Sequence, residues 1–209
     1  MKRIFLPVVC LALMLASTAK AELDPQTETL IEQLPKISQI GYGYSAMFSG
    51  SQFLPEADSS EVHTLVLGSQ APTNSAILEN IVRRGILAVP SLLKHLDDAR
   101  ETKIPAISGM MWISFADEYD YNHRVRTDPP AGVNVDDFRE NHPNSHIITV
   151  GDLCFVALGQ IVNRNLNASR YQPSGGVVIS SPTYSKRLCE VVRTDFEGLM
   201  EAKHRDMLV

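Results

Sequence analysis

The clearest hydrophobic pattern in the chain is a pair of consecutive helical runs within residues 73–98. The first run has its apolar residues at Ile77, Leu78, Ile81 and Val82. The second has its apolar residues at Leu87, Val89, Leu92, Leu93 and Leu96. Gly85, between them, suits the positive φ that ends a helix, and Pro90 is compatible with a first helical turn. The pattern predicts two short amphipathic helices that form an antiparallel hairpin.

Three further segments carry helix signals. Asp24 followed by Pro25 is typical of a helix start, and Pro35 is expected to kink or end that helix. Thr149 precedes a long apolar segment and is predicted to cap it. A final helix is predicted from Tyr184 or Ser185 to about His204, because helical spacing places one set of apolar residues on its inner face: Leu188, Cys189, Val192, Phe196, Leu199 and Met200.

Extended structure is predicted in two places. The stretch "AISGMMWISF", residues 106–115, is either a strand or a buried irregular segment, because its periodicity does not decide between them. Val177–Ile179 is β-branched and lies between turn signals, with Arg170 and Tyr171 ahead of it, which predicts a small β-hairpin or an extended arm. Residues 101–147 lack a helical pattern and form a long insertion, whose aromatic residues argue against disorder.

Two helical segments resemble the HEAT repeat family. "ILAVPSLLKHLDD", residues 86–98, is similar to the second helix of a HEAT repeat, which reads roughly Ala-x-Pro-x-Leu-x-x-x-Leu-x-Asp. "VGDLCFVALGQI", residues 150–161, is similar to the family element Val-Arg-x-x-Ala-x-x-Ala-Leu-Gly-x-Ile. The two units are not regularly spaced, so a regular solenoid is not expected. The expected fold is mainly α, with compact HEAT-like helical hairpins, a long insertion and a small β-hairpin.

The N-terminal residues match a secretory signal peptide. A basic pair at residues 2–3 precedes an apolar run over residues 4–16, and an Ala-Lys-Ala sequence stands immediately before Glu22. The alternative is a membrane anchor, but the run is shorter than the ~20 residues that span a bilayer. We therefore expect residues 1–21 to be removed and residues 22–209 to form one domain in the periplasm or outside the cell.

Charge narrows the classes of partner. The whole chain has 19 Lys and Arg against 24 Asp and Glu, for a net charge of −5. The predicted signal peptide holds three of the bases and no acid, so the mature chain has 16 bases, 24 acids and a charge of −8. Such a chain is poorly suited to nucleic acid or to an anionic membrane surface. We expect a protein partner. A partner with a basic surface would complement the negative charge of the mature chain.

Two cysteines, Cys154 and Cys189, remain after the predicted cleavage. An oxidising compartment allows a disulfide between them. Each also lies on an apolar helical stripe, where a free thiol behaves as a small hydrophobic group. Both alternatives are open at the level of sequence.

The segment "ADEYDYNHR", residues 116–124, concentrates acidic and aromatic residues with a histidine and an arginine, which makes it the main candidate for a chemical site. Glu118, Asp120 and Asn122 alternate, so in an extended strand their three oxygen ligands face one way and could hold Ca²⁺. The EF-hand pattern fails, however, which favours a solvated loop whose acids pair with nearby arginines. His142 and His146 have the spacing of a helical metal site, but a proline between them disfavours a helix. No metal and no cofactor is expected.

Helical hairpins leave exposed faces and no obvious closed pocket, so we expect an exported, non-enzymatic protein-binding or scaffolding module. An inhibitor or immunity-type protein is one version of this prediction. The predicted binding residues are Trp112, Glu118, Tyr119, Asp120, Tyr121, Arg170 and Tyr171. The alternatives are a cell-envelope hydrolase that uses the carboxylates of residues 116–124, and a structural domain whose insertion only caps the core.

Overall fold

The computed structural model describes residues 23–38, 44–45, 75–108, 113–117, 145–164, 166–171, 176–199 and 203–205. The regular structure of these residues is mainly α-helical, as predicted. The helices are α1 (Pro25–Ile31), α2 (Ala76–Arg83), α3 (Val89–Lys94), α4 (Val150–Val162) and α5 (Lys186–Phe196). Short 3₁₀ helices lie at Leu34–Lys36 and Gly85–Ala88. No helix of the described residues is long and apolar enough to cross a membrane.

Helix α1 begins and ends where its local signals predict. The Asp24 carboxylate accepts a hydrogen bond from the Thr27 backbone N–H at 2.8 Å, which caps the helix, and Pro25 lies in the first turn. The α-helix stops before Pro35, and the chain continues as the 3₁₀ helix. Both predictions for this segment are confirmed.

Gly85 separates two short helices, as predicted. Ser75 caps α2, and Gly85 adopts a φ of +56°, which a residue with a Cβ atom adopts only with strain. The 3₁₀ helix then leads into α3, where Pro90 lies in the first turn. Both α2 and α3 pack against α4. The two helices therefore bury their apolar faces on a shared third helix.

Helix α4 is the centre of the core. Every residue from Val150 to Val162 except Gln160 is buried, which is typical of a helix that is apolar on all sides. Its neighbours approach closely at Gly151, where a Cβ atom would lie only 2.3 Å from the Leu96 backbone oxygen. A single hydrophobic cluster joins α4 to the other four helices.

A mixed four-stranded sheet lies beside the helices. Its strands, in spatial order, are β1 (Tyr44–Ser45), β5 (Ser169–Tyr171), β6 (Val177–Ile179) and β3 (Ile113–Phe115). Strands β5 and β6 are antiparallel, with Ser169 opposite Ile179, which confirms the predicted β-hairpin pairing. Strands β3 and β6 are parallel. A separate antiparallel pair joins β2 (Ile107–Ser108) to β4 (Ser145–His146).

The two ends of the predicted insertion are fastened together at the core. The Thr102 backbone N–H and hydroxyl both donate to the Ile148 carbonyl, at 3.0 and 2.7 Å. The Lys103 backbone N–H donates to the Ile37 carbonyl at 2.9 Å. Between these ends, the described part of "AISGMMWISF" forms the short strands β2 and β3. Of the two predictions for this stretch, a strand or a buried irregular segment, the strand is therefore the one observed.

The last helix is shorter than predicted. The sequence pattern predicts one helix over residues 184–204, whereas α5 ends at Phe196. Glu197 is extended and Gly198 has a φ of +68°, a conformation that interrupts the helix. Residues 203–205 are helical again. The apolar spacing continues through Gly198, so periodicity alone misses this break.

Candidate functional site

An apolar groove of about 450 Å³ lies between α3 and the end of α5. This volume falls within the range of small-ligand pockets in proteins. Its apolar lining consists of Leu23, Val89, Pro90, Leu93, Phe196 and Leu199. We call this feature the α3–α5 groove.

The walls of the groove follow from the local structure of two segments. Val89 and Leu93 are four residues apart on α3, so they lie on one face of the helix. On the opposite side, α5 stops at Phe196 and the positive φ of Gly198 turns the chain. The Leu199 backbone N–H donates to the Phe196 carbonyl at 3.2 Å, which holds this turn closed. The groove therefore exists because α5 ends early.

Arg193 ties the two walls together. Its Nε donates to the Leu93 carbonyl at 2.9 Å and its Nη2 to the Lys94 carbonyl at 3.3 Å. These are carbonyls of the last turn of α3, which lack partners within the helix. Nη2 also donates to Asp97 Oδ1 at 2.6 Å. One guanidinium thus fixes the position of α5 against α3.

A second cluster, which is polar and enclosed, lies at the start of α4. Asp152 is fully buried, and its Oδ2 accepts from the Thr149 backbone N–H at 2.9 Å and lies 2.8 Å from His146 Nε2. The Thr149 hydroxyl accepts from the Asp152 backbone N–H at 3.2 Å, which completes a capping box. The cap predicted at Thr149 is confirmed.

Aromatic rings and hydroxyls enclose this His146–Asp152 cluster. The Phe115 ring meets His146 edge-on with centroids 6.1 Å apart, and stacks on Tyr184 with centroids 4.0 Å apart. The Thr183 hydroxyl lies 3.2 Å from the Thr149 hydroxyl. None of these residues lines the α3–α5 groove. The hydrogen bonds of the cluster hold the first turn of α4 in place.

A row of acids along α1 pairs with bases from other elements. Asp24 accepts from Arg84, and this hydrogen bond lowers the pKa of the Asp24 carboxyl from 3.8 to about 2. Burial raises the pKa of Glu28, but hydrogen bonds from Lys94 and His95 outweigh it and lower that pKa from 4.5 to about 2. These contacts connect α1 to α2 and α3.

Acid is expected to weaken this connection. Both carboxyls have a lower pKa in the folded chain than in the unfolded chain, so their contribution is complete above pH 4.5 and is lost as pH falls towards 2. The urea midpoint should therefore be flat near neutrality and fall as pH decreases from about 5 to about 2. In a D24N/E28Q double variant this decrease should be smaller. An identical pH profile for the variant would contradict the assignment.

The predicted binding residues fall partly within the described chain. Those outside the described residues are Trp112, Glu118, Tyr119, Asp120 and Tyr121. Arg170 is half-buried in β5, and Tyr171 belongs to the same strand. The sheet places β5 and β3 on either side of β6, so the hairpin and the insertion share one sheet. Arg170 is not among the described residues that line the α3–α5 groove.

The two cysteines are buried free thiols. The sequence left open a disulfide or two free thiols, and in the structure Cys154 and Cys189 are free thiols. Both belong to the hydrophobic core. Burial raises the pKa of both thiols, most strongly at Cys154. Such thiols are poor nucleophiles, because the thiolate is the reactive form.

Metal binding finds no support in the described residues. Within them, no three side chains of His, Cys, Asp or Glu converge as metal ligands. His146, one member of the histidine pair, is instead next to Asp152, and His142 lies outside the described residues.

Sequence reasoning missed the α3–α5 groove. The sequence pattern predicted that Leu93 and Phe196 lie on buried helix faces, which is correct. It did not predict that both residues also line an open groove. The available signal was Gly198, a glycine inside an apolar helical pattern. The chain matches no protein-family model, no curated protein and no solved structure.

Proposed function

We propose that this protein is an exported, non-enzymatic binding module whose α3–α5 groove holds an apolar segment of a partner protein. The observation that carries the proposal is the groove itself, whose lining includes apolar residues from α3 and from the end of α5. Apolar grooves of this kind receive amphipathic helices through side chains at i, i+3, i+4 and i+7. The occupant we propose is such a segment.

The wider fold supports a binding role. We propose that α2, the 3₁₀ turn and α3 correspond to one HEAT-like hairpin, as their resemblance to that family implies. In such an arrangement one face of the hairpin packs on the core, here on α4. The predicted residues of the insertion, from Trp112 to Tyr121, would add a second contact region.

The hydrolase alternative has no specific support in the described residues. It relied on the carboxylates of residues 116–124. Asp117 is the only one of these carboxylates within the described residues. Asp117 Oδ2 lies 3.4 Å from Arg187 Nη1, an exposed ion pair of the kind found on many protein surfaces. We therefore propose no second function.

Site-specific photocrosslinking tests the proposed groove. A photoreactive phenylalanine analogue placed at Leu199, which lines the groove, should capture one partner in the native compartment of the protein. The crosslinked peptide, identified by mass spectrometry, should map to an amphipathic apolar segment of that partner. The matched control places the same analogue at Leu87, which is 62% exposed and lies outside the groove.

The outcome separates a specific groove from general surface contact. Leu199→Asp should abolish capture of the partner by a probe placed at Pro90, across the groove, and circular dichroism should show that the variant chain is folded. If positions 199 and 87 yield the same products, or if position 199 yields none, the proposal is wrong.

A further inference from the structure

We infer that the segment held in the α3–α5 groove carries a basic side chain beside its apolar anchors, and that Glu197 selects it. This inference rests on the proposed function of the groove. It concerns the chemistry of the partner, which the apolar lining alone does not determine.

Three ionisable residues line the groove, namely Lys94, Arg193 and Glu197. The two cations are already engaged inside the protein. Lys94 Nζ lies 2.8 Å from Glu28 Oε2, and Arg193 Nη2 lies 2.6 Å from Asp97 Oδ1. An acidic group of a partner would therefore have to compete with existing ion pairs for either cation.

Glu197 differs from both cations. It is exposed, and its carboxylate forms no ion pair within the described part of the chain. Its backbone is held in place, because its N–H donates to the Arg193 carbonyl at 2.8 Å and closes the last turn of α5. Among the ionisable residues that line the groove, Glu197 is therefore the one without an ion pair to the described residues, and its backbone is fixed.

The helix end strengthens the negative potential around this carboxylate. Glu197 is the C-cap of α5, where the unpaired carbonyls of the helix carry partial negative charge. A cation is therefore favoured here and an anion is disfavoured. A Lys or Arg side chain also has an aliphatic stem, which can lie along an apolar wall while its charge reaches the rim. The charge and the shape of the groove favour the same kind of residue.

A pair of synthetic peptides tests the inference. Both are helical 15-residue peptides with leucines at i, i+4 and i+7; one has lysines flanking the leucines and the other has glutamates. Fluorescence anisotropy with the purified chain should show that the lysine peptide binds about 3–10-fold more tightly. Because the contact is exposed, 0.5 M NaCl should reduce this preference.

Variants of Glu197 test whether this residue causes the preference for the lysine peptide over the glutamate peptide. In Glu197→Gln the preference should fall to about 2-fold or less, and in Glu197→Lys the glutamate peptide should bind more tightly. Glu190→Gln is the matched control, because Glu190 is an exposed acid of the same helix that does not line the groove. This control should keep the preference of the parent chain.

The inference and the proposed function fail in different ways. If the parent chain binds both peptides equally, and Leu199→Asp weakens both, the groove binds apolar segments and the inference about charge is wrong. If the preference survives in Glu197→Lys, another residue sets it and the inference is again wrong. If neither peptide binds the parent chain, the proposed function is overturned together with the inference.

Discussion

Asp152→Ala is expected to lower the free energy of unfolding by about 2–5 kcal/mol, because it leaves buried hydrogen-bonding groups without a partner. The fully buried carboxylate accepts from the Thr149 backbone N–H and lies against His146. Removing it leaves two buried polar groups without their acceptor and abolishes the capping box of α4. Urea denaturation followed by circular dichroism measures the effect.

Two further variants provide reference values for the stability loss of Asp152→Ala. Asp152→Asn retains one oxygen that can accept a hydrogen bond, so its loss should be smaller, at about 1–3 kcal/mol. Asp97→Ala removes an acid whose side chain is 62% exposed, and it should cost no more than about 1 kcal/mol. A loss for Asp152→Ala as small as that for Asp97→Ala would contradict the role assigned to the buried carboxylate.

Leu92→Ala is expected to destabilise the chain by about 2–5 kcal/mol, the usual cost of truncating a fully buried leucine. Leu92 is fully buried on α3, the helix that packs on α4. Truncation leaves a cavity between α3 and α4, and the cost depends on how far the surrounding side chains relax into it. The urea midpoint should fall without a large change in the slope of the transition.

Leu87→Ala is the control for this second prediction. Leu87 is only five residues away and has the same side chain, but it is 62% exposed. Its truncation should change the free energy of unfolding by less than about 0.5 kcal/mol. Equal losses for the two variants would mean that burial on α4 does not account for the stability of α3.

Local signals predicted the helix boundaries well where a residue of unusual backbone preference marks them. Gly85 ends α2 and Pro90 begins α3 because their backbone requirements are local and do not depend on distant packing. The length of α5 was predicted wrongly because an apolar repeat can continue past the point where a helix stops. Gly198 interrupts that repeat at low cost.

The candidate site was harder to predict, because its parts are remote in sequence. The groove combines Leu23, Leu93 and Leu199, which no local pattern relates to one another. The pair of Lys94 with Glu28, which neutralises one charge at the groove, joins residues 66 positions apart. Only the packing of α1, α3 and α5 around a common helix brings these residues together.

The amino-acid sequence by itself determined where α1, α3 and α4 begin, where α2 ends, and which helix faces are apolar. Caps, prolines, glycines and 3.6-residue spacing act within a few residues, so they can be read directly. The tertiary structure decided which polar residues are buried and which apolar residues remain open. Asp152 meets the rules for an exposed first-turn acid, yet Phe115, Thr183 and Tyr184 enclose its cluster. Burial depends on neighbours, and neighbours are a property of the folded chain.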